Sequence, residues 1–284
     1  MAELQPDGTA GEQKYAAIAA AAAETLVGLD FDGTLSPIVE DPASARIHPD
    51  AAEVLIALAS RVKALAIVTG RPAGQVVELG GLDAIADALG ELGKELYVFG
   101  QYGNERWSGA DRVVVGPPPP EGLAAFEAAL PAVLSAHGAQ DAYIEEKGLA
   151  VGVHTRRFPD PDGLAARLLP PLTELAGEHG LVIEPGKQVI EVRAPGMHKG
   201  HAISTLVEEV SPGAILFGGD DLGDVEAFEA VRAWGKATGS PTVLVYSHAG
   251  PDRGPLAGLA DVEVAGPDGV LELLRELTDE ARQG

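Results

Sequence analysis

Residues 25–35 read Thr-Leu-Val-Gly-Leu-Asp-Phe-Asp-Gly-Thr-Leu, an apolar run that ends in two acids and a Gly-Thr pair. The apolar run predicts a β-strand over 25–30, and the glycine after the second acid predicts a tight turn. Such a strand delivers Asp30 and Asp32 to its carboxyl end. In an open α/β sheet, ligands bind beyond the carboxyl ends of the strands. We therefore interpret this stretch as an active site.

The composition is that of a soluble globular protein. The chain has 284 residues, enough for one large domain or two of ordinary size. Its composition, 46% hydrophobic and 22% charged residues, excludes a chain that is disordered throughout. It has no cysteine, so disulfides and thiolate metal sites are excluded. The absence of cysteine favours a reducing compartment, and we predict a cytoplasmic protein.

Acidic residues dominate the charge. There are 43 Asp and Glu against 20 Lys and Arg, and the net charge of −23 repels nucleic acid and anionic membranes. No apolar run reaches the roughly 20 residues of a membrane span. We therefore expect a small-molecule partner, no nucleic acid, no membrane and a monomer. An anionic ligand would need a local cluster of basic side chains.

Alternating strand and helix patterns occupy residues 15–115 and 195–284. Short apolar runs followed by helical patterns predict an α/β core with a parallel sheet and helices on both faces. Residues 1–14 are mostly polar or small, and we predict a flexible extension there. The strands predicted in the core are 25–30, 64–69, 96–100, 112–115, 214–217 and 241–246.

Four consecutive prolines at 117–120 interrupt this pattern. The residues after them predict a helix, two strands, a second helix and two more strands, which is typical of an antiparallel α+β module. We predict that residues 116–194 form an inserted α+β domain. The segments on either side of it then build one core.

A second group of acids follows a predicted strand. Residues 218–224 read Gly-Gly-Asp-Asp-Leu-Gly-Asp, directly after the run 214–217. Three carboxylates within five residues repel one another, and a cation such as Mg²⁺ held by oxygen ligands is the usual remedy. Alone, the group is better explained as an acidic helix N-terminus. With Asp30 and Asp32 in the same sheet, a metal site is the better interpretation.

Two further side chains lie at the predicted ends of elements. Thr69 ends the predicted strand 64–69, and Lys199 begins a predicted helix ahead of the second acidic group. Paired carboxylates, a hydroxyl and a lysine that balances charge form a set that phosphoryl transfer uses.

Along the chain, these four signals are Asp-Phe-Asp-Gly-Thr at 30–34, Thr69, Lys199 and the acidic group 219–224. In that order they resemble the motifs of the haloacid dehalogenase (HAD) superfamily of phosphotransferases. The resemblance implies that Asp30 is the nucleophile that forms an aspartyl-phosphate and that Asp32 is the general acid and base. It also implies that Thr69 and Lys199 hold the phosphoryl oxygens.

The resemblance further implies a Mg²⁺ cofactor. The implied ligands are Asp30, Asp32, Asp220 and Asp224. Whether Asp221 or Asp224 completes the set stays open at this point.

The inserted module resembles the larger α+β cap of the sugar-phosphatase branch. Within that branch the chain is most similar, over about residues 26–274, to the family of trehalose-6-phosphate phosphatases. The resemblance rests on Glu-Glu-Lys at 145–147, Val-His-Thr-Arg at 153–156 and Gly-Lys-Gln-Val-Ile-Glu at 186–191. It implies hydrolysis of trehalose 6-phosphate to trehalose and phosphate. The implied substrate-binding residues are Arg71, Glu105, Glu145, Lys147, Arg156, Lys187 and Glu191.

The chain departs from that family's pattern at two places. Residues 222–225 read Leu-Gly-Asp-Val where the family usually has Thr-Asp-Glu after the paired aspartates. Residues 102–105 read Tyr-Gly-Asn-Glu where the family usually has His-Gly-x-Glu. Neither departure removes a catalytic group.

Other interpretations stay open on the residues alone. Lys147, Arg156 and Lys187 are also explained as solvated charges on strand faces. A phosphatase of another sugar phosphate, such as sucrose 6-phosphate or mannosyl-phosphoglycerate, would share the core, and so would a sugar phosphomutase. A sugar-phosphate sensor is the non-enzymatic alternative, but it would not need a general acid.

Overall fold

A computed structural model describes residues 8–39, 41–186, 188–248, 250, 254 and 256–282. The chain forms two compact units, a larger one of Met1–Gly116 with His198–Gly284 and a smaller one of Pro117–Met197. A helix begins at Gly8, so residues 8–14 of the predicted extension are helical, and residues 1–7 lie outside the described residues.

The two units contain nine α-helices and eleven strands among the described residues, and α5, α6 and β5 to β8 belong to the smaller unit. The helices of the described residues are α1 (Gly8–Ala20), α2 (Ala51–Ala59), α3 (Ala73–Gly80), α4 (Leu82–Glu91), α5 (Leu123–Ala136), α6 (Pro161–Glu178), α7 (Gly200–Val210), α8 (Val225–Thr238) and α9 (Gly266–Glu280). The strands are β1 (Thr25–Leu29), β2 (Ala64–Val68), β3 (Leu96–Gly100), β4 (Glu105–Ser108), β5 (Tyr143–Glu146), β6 (Ala150–His154), β7 (Val182–Gly186), β8 (Val189–Arg193), β9 (Ala214–Gly219), β10 (Thr242–His248) and β11 (Val262–Ala265). None of these helices has the length and apolar character that a membrane span requires.

The larger unit is built on a seven-stranded sheet in the order β11-β10-β9-β1-β2-β3-β4. Neighbouring strands run parallel except at β3 and β4, which are antiparallel. Every residue of β1 and β2 is buried, as expected of central parallel strands that are covered on both faces. Val27 and Leu29 pack in one apolar cluster, whereas Leu26 packs in another on the opposite face. The predicted α/β class with a mostly parallel sheet is confirmed.

The edge strand of this sheet differs from the prediction. The apolar run 112–115 was expected to form it, but β4 consists of Glu105–Ser108 and pairs with β3. Trp107 explains the choice, because β4 buries this large side chain in the core. Val115 makes only an isolated bridge to Arg106. Helix α4 and strand β11 had no counterpart in the prediction.

The smaller unit has an antiparallel sheet in the order β5-β6-β8-β7. Alternate residues of its strands point to one face, where Val151, Val153, Ile190 and Val192 pack in an apolar cluster with residues of α5 and α6. The intervening residues lie on the other face, and several of them carry charge. We call this second surface the polar face; it consists of Glu145, His154, Glu184, Glu191 and Arg193 with Lys147 at its end.

Candidate active site

The carboxyl ends of three adjacent strands carry the predicted groups of the larger unit. Asp30 follows β1, Thr69 follows β2 and Asp220 follows β9, and these strands are neighbours in the order β9-β1-β2. The Asp30 amide donates to the Gly218 carbonyl at 2.9 Å, which fixes the end of β1 against the end of β9. Parallel pairing therefore brings together residues that lie far apart in the sequence.

Three carboxylates form a compact cluster at this edge of the sheet. Oxygens of Asp30, Asp220 and Asp224 all lie within 4.8 Å of one another. Lys199 places its ammonium among them, with Nζ 2.8 Å from Asp30 Oδ1 and 2.7 Å from Asp224 Oδ1. The lysine is only 3% exposed, so water screens these contacts weakly.

One ammonium does not balance three carboxylates. Burial raises the pKa of Asp30 well above its ordinary value; the Lys199 ammonium opposes the rise and Asp224 adds to it. Burial and then the charge of Asp30 raise the pKa of Asp220 to about 10. Burial disfavours the charged form of Lys199, but Asp224 and Asp30 outweigh it and hold the pKa of the lysine well above its ordinary value. The cluster thus lacks positive charge, and a bound cation would supply it.

Asp224 also shapes the loop that carries Asp220. Its Oδ2 accepts a hydrogen bond from the Asp220 amide at 3.0 Å, while its Oδ1 faces Lys199. Asp221 begins the short helix that follows, and its side chain accepts from the Gly223 amide at 2.8 Å. The two acids therefore differ: Asp224 is fully buried in the cluster, whereas Asp221 is exposed and caps the loop.

Gly33 is the turn residue between the acids and the rest of the loop. It has a φ of +71°, and a Cβ built on it would lie 2.1 Å from Asp220 Oδ2. Ser247 Oγ donates to its carbonyl at 2.6 Å, which holds the turn against β10. Only glycine satisfies both the left-handed backbone and the close approach of the Asp220 carboxylate.

We expect Gly33→Ala to lower the free energy of unfolding by more than Gly81→Ala does. Both positions have left-handed backbones, and alanine there costs roughly 1–2 kcal/mol. At Gly81, however, a Cβ meets no atom within 4 Å, so only Gly33→Ala must also displace Asp220. Denaturant unfolding of the two variants measures the difference. Equal losses would show that the approach of Asp220 has no energetic consequence.

Asp32 lies apart from the carboxylate cluster. Its two oxygens accept from Arg71, Nε to Oδ2 at 2.6 Å and Nη2 to Oδ1 at 2.7 Å. Arg71 follows Thr69, whose Oγ1 accepts from the Arg71 amide at 3.2 Å. Thr69 is 1% exposed at the end of β2. The sequence did not reveal this arginine–aspartate pair, because its partners are 39 residues apart.

Glu105 lies at the start of β4 and contacts the backbone of the larger unit. Its Oε2 accepts from the Ala73 amide at 2.7 Å, at the first residue of α3. Burial raises the pKa of Glu105, and the hydrogen bond from Ala73 partly offsets this. The carboxylate thus anchors the N-terminus of α3, next to Thr69 and Arg71.

The polar face of the smaller unit brings predicted substrate-binding residues together. Lys147 pairs with Glu191, which is 4% exposed. Glu145 Oε2 accepts a hydrogen bond from His154 Nε2 at 2.9 Å. Arg156 follows β6 and is half-buried, whereas Lys187 lies outside the described residues.

Arg193 belongs to this polar face, and the sequence analysis did not select it. Its Nη2 lies 2.9 Å from Glu184 Oε2 and its Nη1 lies 3.6 Å from Glu191 Oε1. It is 6% exposed. The alternation of Glu191 and Arg193 with the apolar Ile190 and Val192 along β8 is the signal that could have identified it.

The chain is similar to known proteins both in sequence and in fold. The model of the family described as Trehalose-phosphatase matches residues 28–88 and 135–254. A Mycobacterium avium protein named trehalose-phosphate phosphatase is 30% identical over 266 residues, 91% of this chain and 63% of its own length. A Mycobacterium tuberculosis protein named as an uncharacterized glycosyl hydrolase is 33% identical over 217 residues, 74% of this chain and 15% of its own.

The chain therefore spans 15% to 63% of the length of these relatives. Among solved structures, the C-terminal domain of Candida albicans trehalose-6-phosphate phosphatase is similar with a TM-score of 0.73 and 23% identity, covering 98% of both chains. A haloacid dehalogenase-like hydrolase from Bacteroides thetaiotaomicron has a similar fold, with a TM-score of 0.58 and 16% identity over 89% of this chain and 98% of its own.

Proposed function

We propose that this chain, which belongs to the trehalose-phosphatase family, hydrolyses trehalose 6-phosphate to trehalose and phosphate through an aspartyl-phosphate. The family is one of phosphoric monoester hydrolases. The observation that carries the proposal is the buried cluster of Asp30, Asp220 and Asp224 with Lys199 among its carboxylates. Such a cluster positions a nucleophile, a cation site and a phosphoryl-binding ammonium together.

Asp30 acts as the nucleophile. Its carboxylate attacks phosphorus in line, so that a bond from Asp30 to phosphorus forms and the bond from phosphorus to the sugar oxygen breaks. Asp32 gives a proton to the departing sugar oxygen and then removes a proton from the water that hydrolyses the aspartyl-phosphate. The second step returns Asp30 and releases phosphate.

Thr69 and Lys199 hold the phosphoryl oxygens in this scheme. Both lie at the edge of the sheet that carries Asp30, and both are almost fully buried. A fixed hydroxyl and a fixed ammonium in a site shielded from water stabilise the charge of the transferring group.

The donor set of the cluster fits Mg²⁺. Carboxylate oxygens are the ligands that Mg²⁺ prefers. Burial is the largest cause that raises the pKa of Asp30 and of Asp220, and a cation beside them would favour their charged forms. We propose Asp30, Asp220, Asp224 and the backbone carbonyl of Asp32 as the residues that hold it. The position of Asp224 in the cluster supports it over Asp221. When bound, the ion supplies the positive charge that lets an anionic substrate approach anionic carboxylates.

Residues of the smaller unit recognise the sugar in this proposal. Glu145, Lys147 and Glu191 are held on its polar face by ion pairs and hydrogen bonds, which restricts their conformations before a ligand binds. Arg156 and Lys187 complete the proposed set, and Arg71 and Glu105 are the proposed contacts of the larger unit.

A cytoplasmic monomer is the form that we propose for the working enzyme. The absence of cysteine suits a reducing compartment. A net charge of −23 disfavours association between copies.

Phosphate release with and without Mg²⁺ tests the proposed function. The substrates are trehalose 6-phosphate, sucrose 6-phosphate, mannosyl-phosphoglycerate and glucose 6-phosphate. We expect trehalose 6-phosphate to have the highest kcat/KM and chelation to abolish release. Preference for another sugar phosphate would reassign the substrate, transfer between sugar positions without net release would indicate a mutase, and binding without release would indicate a sensor.

We expect Glu191→Gln to lower kcat/KM for trehalose 6-phosphate about 10- to 100-fold, because a charge-assisted hydrogen bond to the sugar contributes about 1.5–3 kcal/mol. For 4-nitrophenyl phosphate, which has no sugar to recognise, the loss should be much smaller. Glu146→Gln is the matched control, since Glu146 lies exposed on the same sheet but off the polar face. Equal losses of Glu191→Gln on both esters would remove the specificity role.

A further inference from the structure

Arg71 is held by several groups at once. Its Nε and Nη2 bond the two oxygens of Asp32, and its Nη1 donates to the Pro42 carbonyl at 2.8 Å. The side chain is only 10% exposed, whereas that of Asp32 is 36% exposed. The arginine is therefore the fixed partner of the pair, and the aspartate is the partner that reaches solvent.

The backbone around Arg71 is fixed as well. The Arg71 carbonyl accepts from the Gln101 amide at 2.8 Å. Two residues further on, the Ala73 amide donates to Glu105 at 2.7 Å. Contacts from the residue after β3 and from the start of β4 thus fix the backbone that carries the Arg71 side chain. An arginine that is held at both its backbone and its guanidinium is already in place when a ligand binds, and it can therefore fix the orientation of Asp32.

The bonding pattern separates two possible roles of Arg71. An arginine that grips a phosphate uses two parallel N–H groups on the edge of the guanidinium. In Arg71, the edge formed by Nε and Nη2 is occupied by Asp32. The carboxylate of Asp32, in turn, is oriented by two bonds rather than one, which fixes its plane as well as its position.

We propose that Arg71 is a positioning residue for Asp32, and that its guanidinium holds this carboxylate where it serves the leaving sugar oxygen. The inference rests on the proposed function, in which Asp32 passes its proton to that oxygen as the bond from phosphorus breaks. Asp32 is then left as a carboxylate, and the two N–H groups of Arg71 accommodate the negative charge that it gains. This role differs from the substrate contact proposed above for Arg71, because the edge of the guanidinium that would grip a phosphate is occupied by Asp32.

A double-mutant cycle tests the inference. The variants are Arg71→Gln, Asp32→Asn and the two combined, each assayed for kcat/KM on trehalose 6-phosphate. We expect Arg71→Gln to lower kcat/KM about 100-fold, within the range of a lost general acid. We expect the combined variant to be no slower than Asp32→Asn, since Arg71 acts only through Asp32.

The leaving group provides a second readout. The alcohol of 4-nitrophenyl phosphate departs without a proton, so the step that governs its kcat/KM does not need the acid. We expect Arg71→Gln to slow this ester at least about tenfold less than it slows trehalose 6-phosphate. Arg71→Lys, which keeps the charge but not the paired N–H groups, should resemble Arg71→Gln.

Arg112→Gln is the matched control, because Arg112 is likewise held in ion pairs, with Asp83 and Asp87, in the same unit. Thermal unfolding checks that each variant is folded. If Arg71→Gln is not folded, Arg71→Lys replaces it in the comparison of the two esters. The inference would be overturned if Arg71→Gln lowered kcat/KM equally on both esters and if its fold-loss multiplied with that of Asp32→Asn in the combined variant. Arg71 would then be a phosphate contact. Failure of the wild-type enzyme to release phosphate from any sugar phosphate would instead refute the proposed function.

Discussion

Asp30→Asn is expected to lower phosphate release from trehalose 6-phosphate by about 10⁴-fold or more, the scale seen when a catalytic nucleophile is removed. The amide has almost the shape of the carboxylate, and its oxygen still accepts from Lys199, so the larger unit should stay folded. It cannot attack phosphorus, however, and it offers a weaker oxygen to a cation. Affinity for Mg²⁺ should therefore fall together with turnover.

Two measurements separate the covalent scheme from simple loss of the metal. Acid quenching of the wild-type enzyme during turnover should trap a protein heavier by one phosphoryl group, and Asp30→Asn should not trap it. Asp50→Asn is the matched control, because Asp50 is an exposed carboxylate paired with Arg275 in the same unit. Near-normal turnover of Asp30→Asn, even at saturating Mg²⁺, would show that the covalent scheme is wrong.

The central sheet was predictable because its signals are local. Apolar runs that end in a polar residue define β1, β2 and β9, and the carboxyl ends of parallel strands lie at the same edge. The sequence therefore predicted that Asp30, Thr69 and Asp220 approach one another, and the structure places them on neighbouring strands. Lys199 was predicted at the start of a helix, and the structure shows its ammonium between Asp30 and Asp224.

The missed features depend on contacts between distant residues. A run of three valines at 113–115 has a higher strand propensity than 105–108, yet the burial of Trp107 made the latter the edge strand. Parallel pairing brings the ends of β1 and β2 together, but no spacing in the sequence tells which side chain beyond β2 bonds Asp32. Arg193 alternates with apolar residues along β8, but its burial and its ion pairs with Glu184 and Glu191 are visible only in the structure.

Lys199→Met has the second large expected effect, and here both stability and turnover change. The methionine retains most of the aliphatic stem but removes the ammonium that faces Asp30 and Asp224. Loss of one partner from a buried ion pair costs about 3–5 kcal/mol of unfolding free energy. The pKa of Asp30 is already raised by burial, and without Lys199 the proton is held more firmly. Turnover should then fall about 10³-fold, because a protonated carboxyl is a poor nucleophile and the phosphoryl group loses a cation.

The response to Mg²⁺ distinguishes this electrostatic effect from a packing defect. A cation in the cluster supplies part of the missing charge, so Mg²⁺ should raise the unfolding free energy of Lys199→Met by more than that of the wild type. Lys63→Met is the matched control: Lys63 pairs with Glu24 at 2.7 Å on the surface, where the loss should be about 1 kcal/mol or less and independent of Mg²⁺. If Lys199→Met lost no more stability than Lys63→Met, the three carboxylates would be relieving their repulsion by taking up protons, and Lys199 would act on the phosphoryl group alone.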